Sequence, residues 1–294
     1  MKEQKPFLNK RAFHLAGIVP IAKQPYDFNL PWDDCLLSIG KNFLAIEKAI
    51  VECAYAGCET IWIVCHKSMQ PLIKQWIGER IDDPISTNTM SRYPSRVLKQ
   101  IQLYYVPVHP KNYKRRDCLS HSILYGALSA FLVSAKISKW ILPDKYFVSF
   151  PWGIHDYDKV HKYRKEISSE KNFCFSYNGK TIRDGLMASF SFGPEDYFVA
   201  RDKFKELEKN YYFHREDHSK IKFNFSLDKI FKSCIIDIES ELKEFYQIAS
   251  WEAYQDYIRS DFFLEIKRPK FLKVSHWNKI KYYEEGEDEP GEKI

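Results

Sequence analysis

The chain of 294 residues is short of the features that usually place a sequence quickly. Its seven cysteines are scattered without CxxC spacing, which excludes a zinc framework or disulfide scaffold of the common kinds. Their odd number and apolar surroundings fit a reducing compartment. No apolar run approaches the ~20 residues of a spanning helix. The opening MKEQKPFLNKR has charge but no apolar core of the sort a secretory signal carries. No membrane partner is therefore expected, and a cytoplasmic location is. A concentrated basic face is missing too. The net charge is +6 and the pI about 8.7, with Lys and Arg spread along the chain, so no nucleic-acid partner is expected. One basic cluster, at 111–116, reads as a solvated loop or, because it precedes a helix start, as a loop facing phosphate. Neither an internal repeat nor a break in composition divides the chain. One domain is expected over 1–283, followed by an acidic, disordered tail over 284–294.

What is present is a large core, with 45% hydrophobic and 16% aromatic residues. Residues 14–21 form an apolar run of strand length, ended by a long loop holding Pro25 and Pro31. Phe43, Ile46, Ile50 and Cys53 then recur at the spacing of one helix face. Gly57 stands where a left-handed cap is expected, and Thr60–Cys65 is a continuous apolar run suited to a buried parallel strand. Together they read as one βαβ unit. In such folds ligands gather at the carboxyl ends of the strands, so the long loop is the first place to look for function.

Further along, 69–78 reads as a short helix with Leu72, Ile73, Trp76 and Ile77 on one face. Residues 101–108 read as a strand. A helix is expected to start at Asp117 or Ser120, carrying Ile123, Leu124, Ala127, Leu128, Phe131 and Leu132 inward. A strand over 139–142 runs into Pro143 and Asp144. An acid at the carboxyl end of a buried strand must face a cleft, a cation or a metal, since unpaired burial is costly. Residues 152–170 are polar and expected at the surface. Strands at 172–177 and 185–192 flank the turn Asn178 and Gly179. Helices over 195–209 and 226–233, a short strand over 245–248 and a helix over 251–258 complete the series. The fold class is α/β, with a mostly parallel central sheet and helices on both faces, Rossmann-like.

Taken in order, these elements resemble the sugar-nucleotide nucleotidyltransferases, the NDP-sugar pyrophosphorylase superfamily with its GT-A-like fold, over roughly residues 16–260. Family members show a strand, a glycine-rich nucleotide loop, a "gkp" turn, a helix ending in AG and an "I.IV" strand. This chain has the run 17–22, then Ile39, Gly40 and Lys41, then Ala56 and Gly57, then Ile61, Trp62, Ile63 and Val64. The family's "GTA" helix start is similar to Ser120–Ser122 here, and its strand ending in GD is similar to Leu142, Pro143 and Asp144. Its closing "W.D.GTPE.Y" is similar to the stretch 246–254. The resemblance implies a transferase that joins a nucleoside triphosphate to a sugar 1-phosphate with release of pyrophosphate, using Mg²⁺. Asp144 would hold the metal, and Lys23 would carry phosphate charge as the second catalytic residue. Ala22, Lys41, Ser120, Ser122, Lys180 and Gly185 would bind substrate.

The departures bear on the same sites. Ala22 and Lys23 stand at the two loop-glycine positions, and no GTR follows. A Cβ there obstructs close backbone approach to phosphate. Asp33 and Asp34 lie near the place of the family's PK lysine, and Gln247 near its second metal-binding Asp. Asp156 and Asp158 form a D-x-D similar to the metal motif of GT-A glycosyltransferases, or a surface loop. Trp32 and Tyr26 are candidates to stack on a base, or to pack the loop itself. His66, His109 and His121 share no metal-ligand spacing. Two other functions remain beside the transferase: a GT-A glycosyltransferase using a nucleotide-sugar donor, and a non-catalytic binding or assembly module that keeps the fold.

Overall fold

The structure is a computed structural model that describes residues 13–22, 28, 30, 32–86, 99–116, 118–138, 141–213 and 223–272. The chain begins with β1 (Leu15–Pro20), then the hairpin β2 (Ser38–Gly40) and β3 (Phe43–Leu44), α1 (Ala45–Ala56), β4 (Thr60–Cys65), α2 (Gln70–Ile77), β5 (Arg80–Asp82) and β6 (Gln100–Pro107). It continues with α3 (Pro110–Arg115), α4 (Leu119–Ile137), β7 (Lys145–Val148), β8 (Gly153–Ile154), α5 (Tyr157–Lys162), α6 (Arg164–Ile167), β9 (Phe173–Ser176) and β10 (Phe190–Phe192). It closes with α7 (Pro194–Phe213), α8 (Leu227–Phe231), β11 (Ile238–Glu241), β12 (Tyr246–Gln247), α9 (Trp251–Ile258) and α10 (Asp261–Glu265).

Eight strands share one sheet in the order β11-β9-β10-β7-β1-β4-β6-β5. Four adjacent strands, β7, β1, β4 and β6, are all parallel. All six residues of β1 are buried, as a strand covered on both faces requires. Two glycines show what covers each face. A Cβ on Gly17 would stand 2.9 Å from Cys53 Sγ of α1. A Cβ on Gly126 of α4 would stand 2.9 Å from Ile18 Cγ2. Gly17 and Ile18 are neighbours on one strand and point to opposite faces, so α1 and α4 lie on opposite sides of the sheet. The expected α/β class, with a mostly parallel sheet and helices on both faces, is what the chain adopts.

The first βαβ unit is as expected, and α1 ends at Gly57 with φ +94. Several boundaries differ. Phe43 belongs to β3, because the supposed single loop contains a hairpin and a 3-10 turn at Asp34–Leu36. Leu72 is 49% exposed, so only part of the expected face of α2 turns inward. The strand placed at 139–142 instead begins at Lys145, where it can pair with Leu15. The strand placed at 185–192 is confined to Phe190–Phe192. Ahead of it, Gly185 at φ +84 ends a 3-10 turn over Ile182–Asp184. Helix α4 starts at Leu119, after Cys118, without a side-chain cap; Asp117 lies outside the described residues. The stretch 152–170 is not a surface segment, for Trp152, Ile154, His155, Val160 and Ile167 are all fully buried. The acidic tail at 284–294 lies outside the described residues.

Candidate functional site

From β1 the chain moves outward to β4 and β6, then returns to the other side of β1 as β7. Connections therefore diverge at the carboxyl ends of β1 and β7, and such a divergence opens the crevice where α/β sheets bind ligands. Beyond β1 the pairing continues, with Ile21 N–H donating to Val64 O at 2.8 Å, and Ala22 follows, buried. Beyond β7, Ser149 N–H donates to Ile18 O at 3.1 Å, and Phe150, Pro151 and Trp152 lead into β8. Ala22 thus stands where expected, at the mouth of β1. Lys23 and Tyr26 lie outside the described residues, and Trp32 is half-exposed.

Beneath the mouth of β7 is a charged cluster that sequence reasoning missed. Every residue of α1 except Tyr55 is buried, including Lys48 and Glu52. Burying charges demands partners. Lys48 Nζ lies 2.6 Å from Glu52 Oε1, and it donates to Phe150 O at 3.3 Å and to Gly153 O. Glu52 Oε2 accepts from Ser189 Oγ at 2.5 Å and from Ser149 Oγ. His155 Nε2 stands 3.1 Å from Glu52 Oε1. Burial pulls the Lys48 pKa below its usual value against the pull of Glu52. For Glu52, burial pushes up, but His155, Lys48 and the hydroxyl donors outweigh it and hold the carboxyl low. His155 is pushed down, by burial first and by Lys48 among its charged neighbours. An ion pair with a neutral imidazole beside it fits these directions. The cluster ties α1 to the turn after β7, to β8 and to the approach of β10. A Lys and Glu four apart on a helix ordinarily read as an exposed pair. The only warning in sequence is their enclosure by Ala49, Ile50, Val51 and Cys53.

Asp144 requires a correction. It precedes β7 and so lies at the amino end of the parallel sheet, opposite the crevice. Its Oδ2 accepts from His14 N–H at 2.7 Å, while its own N–H donates to His14 O at 2.9 Å. The carboxylate therefore extends the β1–β7 ladder. Asp144→Ala is expected to cost about 1 kcal/mol by removing an acceptor from His14. The same variant should leave any nucleotide-induced rise in Tm unchanged, which a thermal-shift titration measures. Loss of that rise would return Asp144 to the binding site.

The other expected site residues are dispersed. Ser120 is fully buried and donates to Phe225 O at 3.1 Å, while Ser122 donates to Cys118 O at 3.3 Å. Both hydroxyls donate to backbone carbonyls inside the fold. Lys41 is exposed beside Lys267, and Lys180 is exposed on the turn of Asn178 and Gly179. Gly185 lies against Asp228. Gln247 does reach the β7 mouth, since β12 pairs it with Gly153 of β8, but its Oε1 accepts from Met187 N–H at 3.2 Å. Asp156 caps α5 through Asp158 N–H, and both line a cleft of about 470 Å³ with Glu244, Glu265, Lys243 and Lys267. The basic segment forms α3 beyond the carboxyl end of β6, with His109 as its cap; Arg116 is forked onto Glu208.

Mg²⁺ does not fit the donors described at this edge. It needs carboxylates open to the phosphates. Glu52 is sealed against an internal ammonium, Gln247 offers only an amide, Asp33 caps the 3-10 turn by accepting from Cys35 N–H, and Asp34 beside it is buried and already engaged. Among the described residues no group of three or more His, Cys, Asp or Glu is arranged to hold a metal.

No protein-family model matches the chain, and no curated protein matches it in sequence. Solved structures do match in shape. A protein described as a glucose-1-phosphate thymidylyltransferase from Bacillus anthracis, in complex with a sucrose, superposes with a TM-score of 0.51 at 12% identity, covering 88% of this chain and 98% of that one. The UTP-bound UGPase from Acinetobacter baumannii gives a TM-score of 0.52 at 11% identity, covering 84% and 92%. The fold is that of the sugar-nucleotide pyrophosphorylases. Among the described residues, no helix of this pyrophosphorylase-like fold is long and apolar enough to cross a membrane.

Proposed function

We propose that the chain binds a nucleoside triphosphate and a sugar 1-phosphate across the carboxyl ends of β1, β4 and β6 and joins them into a nucleotide-sugar, releasing pyrophosphate. The observation that supports this reading is the switch point between β1 and β7, in a fold whose solved examples include a UTP-bound enzyme. The sugar phosphate oxygen attacks the α-phosphorus in line and pyrophosphate leaves. Positioning and neutralisation of phosphate charge supply the catalysis. Because the described donors do not fit Mg²⁺, phosphate charge falls to protein cations. Lys23, which follows β1 in the sequence, and Lys111 and Arg115, on the helix after β6, are the side chains given that role.

A second reading draws on the cluster beneath β7. Its one carboxylate is already neutralised by Lys48, which favours a module that binds a nucleotide-sugar without transferring it. One pair of measurements separates the two. Pyrophosphate release is assayed from UTP and glucose 1-phosphate, with and without Mg²⁺, alongside thermal shift with UTP and with UDP-glucose. Release that is lost in Lys23→Ala supports the transferase. A rise in Tm without release supports the binding module, and neither signal would sink both.

A further inference from the structure

Helix α4 has a second working face. Ile123, Ala127 and Ala130 are buried, and Gly126 lies against Ile18 and Val64 of the sheet. On its other side, His121, Leu124, Tyr125 and Leu128 form one wall of a cleft of about 380 Å³, and α7 forms the other. That volume lies within the range of small-molecule sites, ~300–1,000 Å³.

The lining combines rings with positive charge. Tyr125, Tyr197 and Phe204 present aromatic surface. Arg116 enters from α3 and is held in place by the carboxylate of Glu208, at 2.6 and 3.0 Å. Arg201 lies over the Phe198 ring, 4.9 Å from its centroid, and bonds Asp202. Lys205, one turn on, has no carboxylate partner among the described residues. Three cations therefore face one lining acid, Glu208. At the base is His121, 8% exposed, whose Nδ1 has no hydrogen-bond partner among the described residues. Its ring stacks on Tyr125, with centroids 5.8 Å apart and planes 18° apart. Burial, and then the charge of Arg116, push its pKa down to about 4, so at neutral pH it offers an uncharged polar atom. A buried polar atom left unmatched carries a penalty that a ligand could relieve.

We propose that this cleft is a second binding site, for a small ring compound carrying one anionic group, phosphate or carboxylate. The ring lies against Tyr125, Tyr197 and Phe204, where aromatic stacking is favourable. The anion meets Arg201 and Lys205 in charge-assisted hydrogen bonds. Phosphate and carboxylate ligands share this chemistry, and the arms of the test tell them apart.

Phenyl phosphate is the probe, titrated calorimetrically into the full chain, with benzoate, inorganic phosphate and phenol as the other arms. Phenyl phosphate, benzoate or both should bind with a Kd on the order of 1 mM or tighter. Inorganic phosphate and phenol should each bind at least about tenfold more weakly, since each lacks half of the ligand. Arg201 is partly exposed and Lys205 exposed at the rim of the cleft, so Arg201→Ala with Lys205→Ala should keep the parent's circular dichroism and Tm while weakening the probe about tenfold or more. His121 ring resonances in ¹H–¹⁵N spectra should move on titration. Equal binding of inorganic phosphate would overturn the proposal. So would affinity unchanged in the double variant, His121 resonances that stay still, or no binding at all. None of these readouts involves UTP or pyrophosphate, so failure here is distinct from failure of the transferase reading.

Discussion

Lys48→Met is expected to lower the free energy of unfolding by about 3–5 kcal/mol, the usual consequence of stripping one partner from a buried ion pair. Both charges are fully buried, and the ammonium holds Glu52 together with the carbonyls of Phe150 and Gly153. Methionine fills similar volume, so little of the loss would come from a cavity. What remains is a carboxylate whose burial opposes its charge, with His155 and two serine hydroxyls as its only support. It must then take up a proton, or His155 must. Either way the turn after β7 loses the cation that holds two of its carbonyls. A companion variant separates charge from packing. Lys48→Met combined with Glu52→Gln leaves no buried charge and should lie closer to the parent than the single variant. Urea unfolding of the three proteins measures it. A single variant within about 1 kcal/mol of the parent would show that the pair contributes nothing net, as some buried pairs do.

How far the sequence could be read follows from where its signals are local. Continuous apolar runs gave β1 and β4, and Gly57 gave the end of α1, because burial on both faces and a left-handed cap leave marks on single residues. The failures all concern pairing. Asp144 lies within two residues of the expected strand end, yet the strand starts after it, and only the register with Leu15 places it at the opposite edge. Pro143 was expected to follow one strand and instead stands just ahead of another. Lys48 and Glu52 were invisible because a helix flanked by a sheet on one side and α5 and α6 on the other leaves no solvent face, and no local pattern announces the second layer. Ser120 shows the same limit: a helix-start hydroxyl looks free until the segment at Phe225 arrives. Of the candidate site the sequence therefore offered an expected place, the long loop after β1, and not a set of side chains.

Gly153→Ala should be the most disruptive single methyl that can be added near that mouth. The added Cβ would stand 1.8 Å from Met187 O, a backbone atom that cannot rotate aside. Gly153 is also paired with Gln247 in the β8–β12 ladder, and its carbonyl accepts from Lys48. Relief of the clash must therefore move β8, β12 or the segment before Ser189, and each is tied to the Glu52 cluster. Overpacking of a tight site costs about 1–3 kcal/mol, sometimes more, and here the upper end is expected because the lysine contact is strained as well. Gly179→Ala is the natural control. Its Cβ would meet nothing within 4 Å, and only its φ of +68 opposes the change, which limits the penalty to about 1 kcal/mol. Position 153 should also lower the affinity for whatever occupies the crevice, while position 179 should not. If the two variants show equal Tm and equal ligand-induced shifts, the turn after β7 is softer than its contacts imply, and the rigid floor it gives the crevice has to be abandoned.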